Sequence, residues 1–183
     1  MHTNGIPASE ALEKLLAGNR AYRDASYNPG DISPCIREKT CREGQNPYAV
    51  IITCSDSRVI PESIFMAGIG ELFVIRVAGN VMDKHQLGSV EYATSHLGCR
   101  LVLVLGHTHC GAVDAAMHHD PDGYIKFITD EIRLAIADET DALKACCRNV
   151  ERSVSVIKES LEGQGITVRG AVYHIEDGSV DLL

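Results

Sequence analysis

Three short stretches of almost unbroken apolar character stand out along the chain: residues 48–53 (YAVIIT), 71–78 (ELFVIRVA) and 100–106 (RLVLVLG). They are β-branched and do not alternate between apolar and polar, which predicts strands covered on both faces, as in a parallel sheet. Between and after them the period lengthens to that of helices, over residues 61–68, 88–98 and 111–119. Residues 123–162 read as helical almost throughout, with a break near Asp138-Glu139-Thr140. At the front, residues 9–24 place Leu12, Leu15, Leu16 and Tyr22 on roughly one helical face, with Ser9 positioned to cap it. Residues 25–47 hold three prolines and read as loop with one short helix. The end, residues 166–183, is a strand, an Asp-Gly turn and a second strand. The alternation predicts an α/β fold: a mainly parallel central sheet flanked by helices, with a C-terminal antiparallel edge strand.

Length and charge narrow the partners. A chain of 183 residues, 45% hydrophobic, fits one domain with a sizeable core. Seventeen basic against 25 acidic side chains give a net charge of −8, and no Lys/Arg block occurs. That argues against a nucleic-acid partner and against an anionic membrane surface. No apolar run approaches the roughly 20 residues of a spanning helix, and the start lacks the charged and apolar regions of a secretion signal. A cytoplasmic location is expected. Seven cysteines in a reducing compartment point to metal binding, catalysis or burial rather than disulfides.

The candidate chemistry lies where two apolar runs end. One breaks into Cys54-Ser55-Asp56-Ser57-Arg58, the other into His107-Thr108-His109-Cys110. In open α/β sheets ligands bind beyond the carboxyl ends of strands, so neighbouring strands would bring these endings together. Two thiolates and one imidazole suit zinc, and three protein ligands leave a fourth position for water, as in catalytic sites. Singly, Cys54 and Cys110 read equally as small buried hydrophobes and His107 as a core histidine. As a set beside Asp56 and Arg58 they read as a metal site. Asp56 can accept a hydrogen bond from a metal-held hydroxide or reach the metal itself, and Arg58, pairing with it bidentately, decides between the two. The other cysteines carry no such signal: Cys99 precedes a strand, Cys35 and Cys41 flank a loop, and only one of Cys146 and Cys147 can face a core.

These motifs resemble the β-class carbonic anhydrases, which carry Cys-x-Asp-x-Arg after one strand and His-x-x-Cys after another. The resemblance extends through "ALEKLLAGNRAYR", "GQNPYAVIITCSDSRV", "GELFVIRVAGN", "GSVEYATSHLG", "LVLGHTHCGAV" and "VRGAVYHIEDGSVDLL". It implies one zinc per chain on Cys54, His107 and Cys110, joined by Asp56 only in a closed form, with Asp56 and Arg58 as catalytic dyad. Gln45, Phe73, Tyr92 and Gly111 match the substrate pocket, whose aromatics come partly from a second subunit. A single domain over 1–183 is implied, with residues 1–28 embracing a partner and 48–183 forming the zinc-binding core of a homodimer or homotetramer. The implied reaction is reversible hydration of carbon dioxide to bicarbonate and a proton, by attack of zinc-bound hydroxide. His109 and Asp56 are candidate proton carriers. Hydrolysis of carbon disulfide or carbonyl sulfide, and a zinc-binding module without activity, are the rival readings. The chain departs from the family at Val77, where Asn is common, and in having no tryptophan for a regulatory bicarbonate pocket.

Overall fold

A computed structural model describes residues 5–183, and its five strands join in one sheet in the order β2-β1-β3-β4-β5. The strands are β1 (Ala49–Thr53), β2 (Leu72–Arg76), β3 (Leu101–His107), β4 (Thr167–Tyr173) and β5 (Val180–Leu182). All neighbouring pairs are parallel except β4 with β5 at the edge. The helices are α1 (Ala8–Asp24), α2 (Pro34–Glu43), α3 (Pro61–Ile64), α4 (Lys84–Ser95), α5 (Gly111–His118), α6 (Ile125–Ile136) and α7 (Ala142–Ser160).

Both faces of the sheet are covered, which is why the central strands read as continuous apolar runs. Ala49, Ile51, Leu101, Leu103 and Leu105 face one core with Ala11 and Leu15 of α1. The alternate residues Val50, Ile52, Val102 and Val104 face the other, with Val90 and Ala93 of α4 and Val150 and Ile157 of α7. A third cluster at the carboxyl end of the sheet joins Cys54 and Cys110 to Val113 and Ala116 of α5 and Ile132 and Ile136 of α6. Among the described residues no helix is long and apolar enough to cross a membrane.

Local chemistry moved several boundaries. Ser9 does not cap α1: Pro7 holds that position, its carbonyl taking the Ala11 N–H at 3.0 Å. The short helix in residues 25–47 is ten residues long and contains Cys35 and Cys41, which therefore sit on a helix surface rather than beside a loop. Its start is set by Ser33, whose hydroxyl takes the Ile36 N–H, with Pro34 next. The helix expected at 61–68 stops after four residues. Met66 there has a φ of 53°, and a Cβ at Gly18 of the crossing α1 would lie 2.0 Å from the Phe65 carbonyl oxygen. α4 starts four residues early because Asp83 and Gln86 form a reciprocal capping box. The break in residues 123–162 spans 137–141, with Ala137 at a φ of 47°. The C-terminal turn is longer than a two-residue Asp-Gly connection, since β4 ends at Tyr173 and β5 begins at Val180.

Candidate metal centre

β1 and β3 are parallel neighbours, paired up to Thr53 with Leu105, so their carboxyl ends finish side by side. The Thr53 hydroxyl donates to the Leu105 carbonyl at 2.7 Å and ties the two ends together. Beyond that tie the chain delivers Cys54 from β1, His107 as the last residue of β3, and Cys110 as the residue that caps α5. All three are buried, and their ligand atoms lie within 4.8 Å of one another.

His107 supplies the test of whether a metal fits. Its Nδ1 lies 2.8 Å from the Thr108 carbonyl oxygen, which can only accept, so Nδ1 carries the proton. That leaves Nε2 as a bare acceptor, fully buried and without a hydrogen-bond partner. Burying such a nitrogen unpaired costs on the order of 1–3 kcal/mol. Facing two thiols, it is explained as a ligand atom. A donor set of one imidazole and two thiols suits a borderline-soft metal such as zinc.

One thiol of the pair is poised to ionise. Cys54 is pushed down to about 4, first by the hydrogen bond from the Cys110 thiol, then by His107 and by the backbone N–H groups of Gly79 and Asp56. Cys110 is pushed up by that same shared proton and by burial, while the Ala112 and Val113 N–H groups at the start of α5 act in the opposite direction. Burial works against a charged His107, but Cys54 and the Thr108 carbonyl outweigh it and raise the ring.

Asp56 stands beside the ligands rather than among them. Arg58 holds it by both oxygens, Nε to Oδ1 at 2.9 Å and Nη2 to Oδ2 at 2.7 Å, and the Arg58 backbone N–H also reaches Oδ1 at 2.9 Å. The Arg58 side-chain hydrogen bond holds the Asp56 carboxyl well below the usual carboxylate range against the opposing effect of burial, and the Arg58 backbone N–H adds to it. Asp56 Oδ2 lies 4.0 Å from His107 Nε2. A cavity of about 280 Å³ opens alongside, lined by His107, His109, Cys110, Gly111, Asp114 and Cys146 among others.

Two residues that hold the site in place escaped the sequence reading. Arg76, the last residue of β2, donates from Nε to the Cys54 carbonyl at 3.2 Å and from Nη2 to the Asp56 carbonyl at 2.7 Å. Its signal was positional: β2 pairs in parallel with β1, which sets Arg76 opposite Thr53. Gly79, at a φ of 67°, points its N–H at Cys54 Sγ, 3.3 Å away. The turn around it is held from α7, by Asn149 on the Gly79 carbonyl at 2.8 Å and Ser153 on the Asn80 carbonyl at 3.0 Å. Val77, where the family pattern has Asn, contributes its backbone N–H to the Thr53 carbonyl.

Gln45, Phe73 and Tyr92 lie elsewhere in the chain. Phe73 is level with Val50, four residues before Cys54, or about 13 Å back along β1 at ~3.3 Å per residue. Tyr92 of α4 packs its ring 6.1 Å from that of Phe73, and Gln45 is exposed ahead of β1.

Residues 49–180 match the family described as carbonic anhydrase. The fold matches the crystal structure of the β-carbonic anhydrase CafA of Aspergillus fumigatus with a TM-score of 0.66 and 28% identity, over 81% of this chain and 83% of that one. The chain belongs to the β-carbonic anhydrase family. Members of the family are lyases that act on carbon dioxide. Carbonic anhydrase 2 of Mycobacterium tuberculosis is 38% identical over 99% of this chain and 94% of its own length. A Coccomyxa β-carbonic anhydrase, solved in complex with acetazolamide, aligns with a TM-score of 0.70 and 26% identity over 84% of this chain and 86% of its own.

Proposed function

We propose that this β-carbonic anhydrase binds one zinc per chain through Cys54, His107 and Cys110 and hydrates carbon dioxide reversibly to bicarbonate and a proton. The observation that carries the reading is Asp56. It is ionised, held at both oxygens by Arg58, and 4.0 Å from the one unpartnered nitrogen of His107. Zinc bound there supplies Lewis-acid chemistry, which lowers the pKa of water from about 16 toward roughly 7.

The protein's own groups then do the positioning. A carboxylate that Arg58 keeps ionised can only accept a hydrogen bond, so Asp56 takes the O–H of the attacking water and turns its lone pair toward carbon. Arg76 fixes the backbone on either side of Ser55, which sets how far Asp56 stands from the ligands. Gly111 leaves open space where a Cβ would be, keeping the first turn of α5 accessible to substrate oxygens. The oxygen–carbon bond forms as one carbon–oxygen π bond of carbon dioxide opens onto its oxygen and the water proton leaves, and His109, which lines the cavity, passes that proton outward.

Gln45, Phe73 and Tyr92 enter by symmetry. Phe73 lies about 13 Å back along the sheet from Cys54 of its own chain, yet Tyr92 is 47% exposed beside it. We place Gln45, Phe73 and Tyr92 of the partner subunit against this cleft, in a homodimer that residues 1–28 help to clasp. A chain from a study of two tetrameric β-carbonic anhydrases of Sordaria macrospora shares the fold, with a TM-score of 0.71 and 24% identity over 96% of this chain and 94% of that one.

Stopped-flow measurement of carbon dioxide hydration, run beside a metal analysis of the same sample, tests the reading. The expected result is one zinc per chain with hydration activity. Activity on carbon disulfide or carbonyl sulfide alone would transfer the site to those substrates, and bound zinc with no turnover would make it a binding module.

A further inference from the structure

We infer that Glu176, on the connection between β4 and β5, is a positioning residue for the metal ligand His107 and for the catalytic Arg58 at once. This rests on the assignment of both groups above.

The residues between the two ligands of the His107–Cys110 motif each present a carbonyl to the site. The Thr108 carbonyl takes the His107 Nδ1 proton at 2.8 Å, and so fixes which ring nitrogen is free for the metal. The His109 carbonyl takes the Arg58 Nη2 proton at 3.0 Å, from the same nitrogen that holds Asp56 Oδ2. Each half of the machinery is thus oriented by one backbone oxygen, and the side chains of those two residues converge on one carboxylate. Thr108 Oγ1 donates to Glu176 Oε2 at 2.8 Å, and His109 Nε2 lies 2.7 Å from Glu176 Oε1.

The grip has further anchors and a need. The Thr108 hydroxyl accepts the Ile175 N–H at 3.0 Å, and the Thr108 N–H reaches the Tyr173 carbonyl, so the segment is sewn to the end of β4. His109 sits at a φ of 54°, a left-handed conformation that side chains other than glycine rarely adopt. Turning the His109 carbonyl toward Arg58 therefore requires something to hold the residue in place. Glu176 is the side chain bonded to it. Partners that orient ligating histidines typically change metal affinity or activity by about 10–100-fold when lost.

The experiment compares Glu176→Ala and Glu176→Gln with the unmodified holoenzyme. A neighbouring control, Asp177→Ala, removes the bonds from the Ser179 backbone and hydroxyl to the carboxylate in the same connection without touching Thr108 or His109. Three quantities are read: kcat and KM for hydration, zinc dissociation, and the visible spectrum of the cobalt-substituted protein. Glu176→Ala is expected to lower kcat about 10-fold with little change in KM, to speed zinc loss, and to shift the cobalt bands, which report ligand orientation. Glu176→Gln retains one acceptor and falls between, while Asp177→Ala matches the unmodified protein in all three. An unchanged kcat and cobalt spectrum in Glu176→Ala would overturn the inference, as would equal losses in Asp177→Ala. If the unmodified protein itself holds no metal, the assignment of the ligands has failed instead.

Discussion

Arg58 and Asp56 meet in a two-point grip, Nε to Oδ1 and Nη2 to Oδ2, with the carboxylate 4.0 Å short of the His107 nitrogen that faces the thiols. A bidentate guanidinium fixes the plane of the carboxylate as well as its charge. The pair therefore separates two states of the centre: Asp56 orienting water, or Asp56 on the metal. Arg58→Ala is expected to release Asp56 toward the metal and to cut turnover by about 10–100-fold while zinc content stays near one per chain. The unmodified protein, crystallised at pH 7.5 or above, should keep Asp56 out of bonding distance of zinc. A bonded Asp56 in that crystal would sink the open-site reading.

The same grip sets a sign for pH. Asp56 has a depressed folded pKa, chiefly through Arg58. Its stabilising contribution is complete above the ordinary carboxylate value of about 3.9 and fades as pH falls from there through the lower folded value. The stability difference between the unmodified protein and Asp56→Asn should be flat from pH 8 to about 5 and shrink only below about 4. Thermal midpoints measured across that range decide it; a difference that collapses near pH 6 would contradict the assigned direction.

Metal loss should be sharp rather than graded. The hydrogen bond from Cys110 favours the Cys54 thiolate and raises Cys110 in turn. Cys110→Ser replaces a soft thiolate ligand with a hydroxyl, which still donates to Cys54 but binds zinc poorly. Metal analysis of that variant should find zinc well below one per chain and no measurable hydration. Full occupancy would mean that another residue holds the third position.

The main lines of the fold and the clustering of Cys54, His107 and Cys110 were legible because each rests on local pattern. Runs such as Val50–Ile52 and Leu101–Leu105 are apolar on both faces because both faces are covered, and strand ends in such sheets are where ligands gather. What escaped depends on which parts of the chain meet. Ser9 looked like a cap, but Pro7 takes that position and the helix begins two residues earlier, at Ala8. Cys35 and Cys41 looked like loop residues because Pro29, Pro34 and Pro47 break the pattern, although Pro34 in fact starts a helix. Arg76 reads as an ordinary strand-end charge until β2 is paired with β1. Nothing in the spacing of Glu176 connects it to His109, 67 residues earlier.

Gly79 offers a check on that tertiary layer. Its φ of 67° already disfavours a side chain, and an added Cβ would lie 2.7 Å from Ile132 Cδ1 and 3.1 Å from Ala112 Cβ. Gly79→Ala should therefore destabilise the protein by about 1–3 kcal/mol and pull its N–H away from Cys54 Sγ. Denaturant unfolding should show the loss, and competition with a chelator should show faster zinc release. Unchanged values in both would remove Gly79 from the site.

Assembly is the remaining test, and α1 is where to apply it. The helix places Ala11 and Leu15 in the core of its own chain, and Asn19 binds the Gly178 carbonyl through Nδ2 at 2.8 Å and the Val180 N–H through Oδ1 at 3.1 Å. Losing one buried leucine side chain from such a core costs roughly 2–5 kcal/mol, so deleting residues 1–24 should lower the thermal midpoint markedly. If residues 1–28 also clasp a partner, the truncated protein should lose its dimer in sedimentation velocity as well. The cleft would then lack Phe73 and Tyr92 of the partner subunit, and activity should fall further than zinc content. A full-length chain that sediments as a fully active monomer would end the two-chain reading of the pocket.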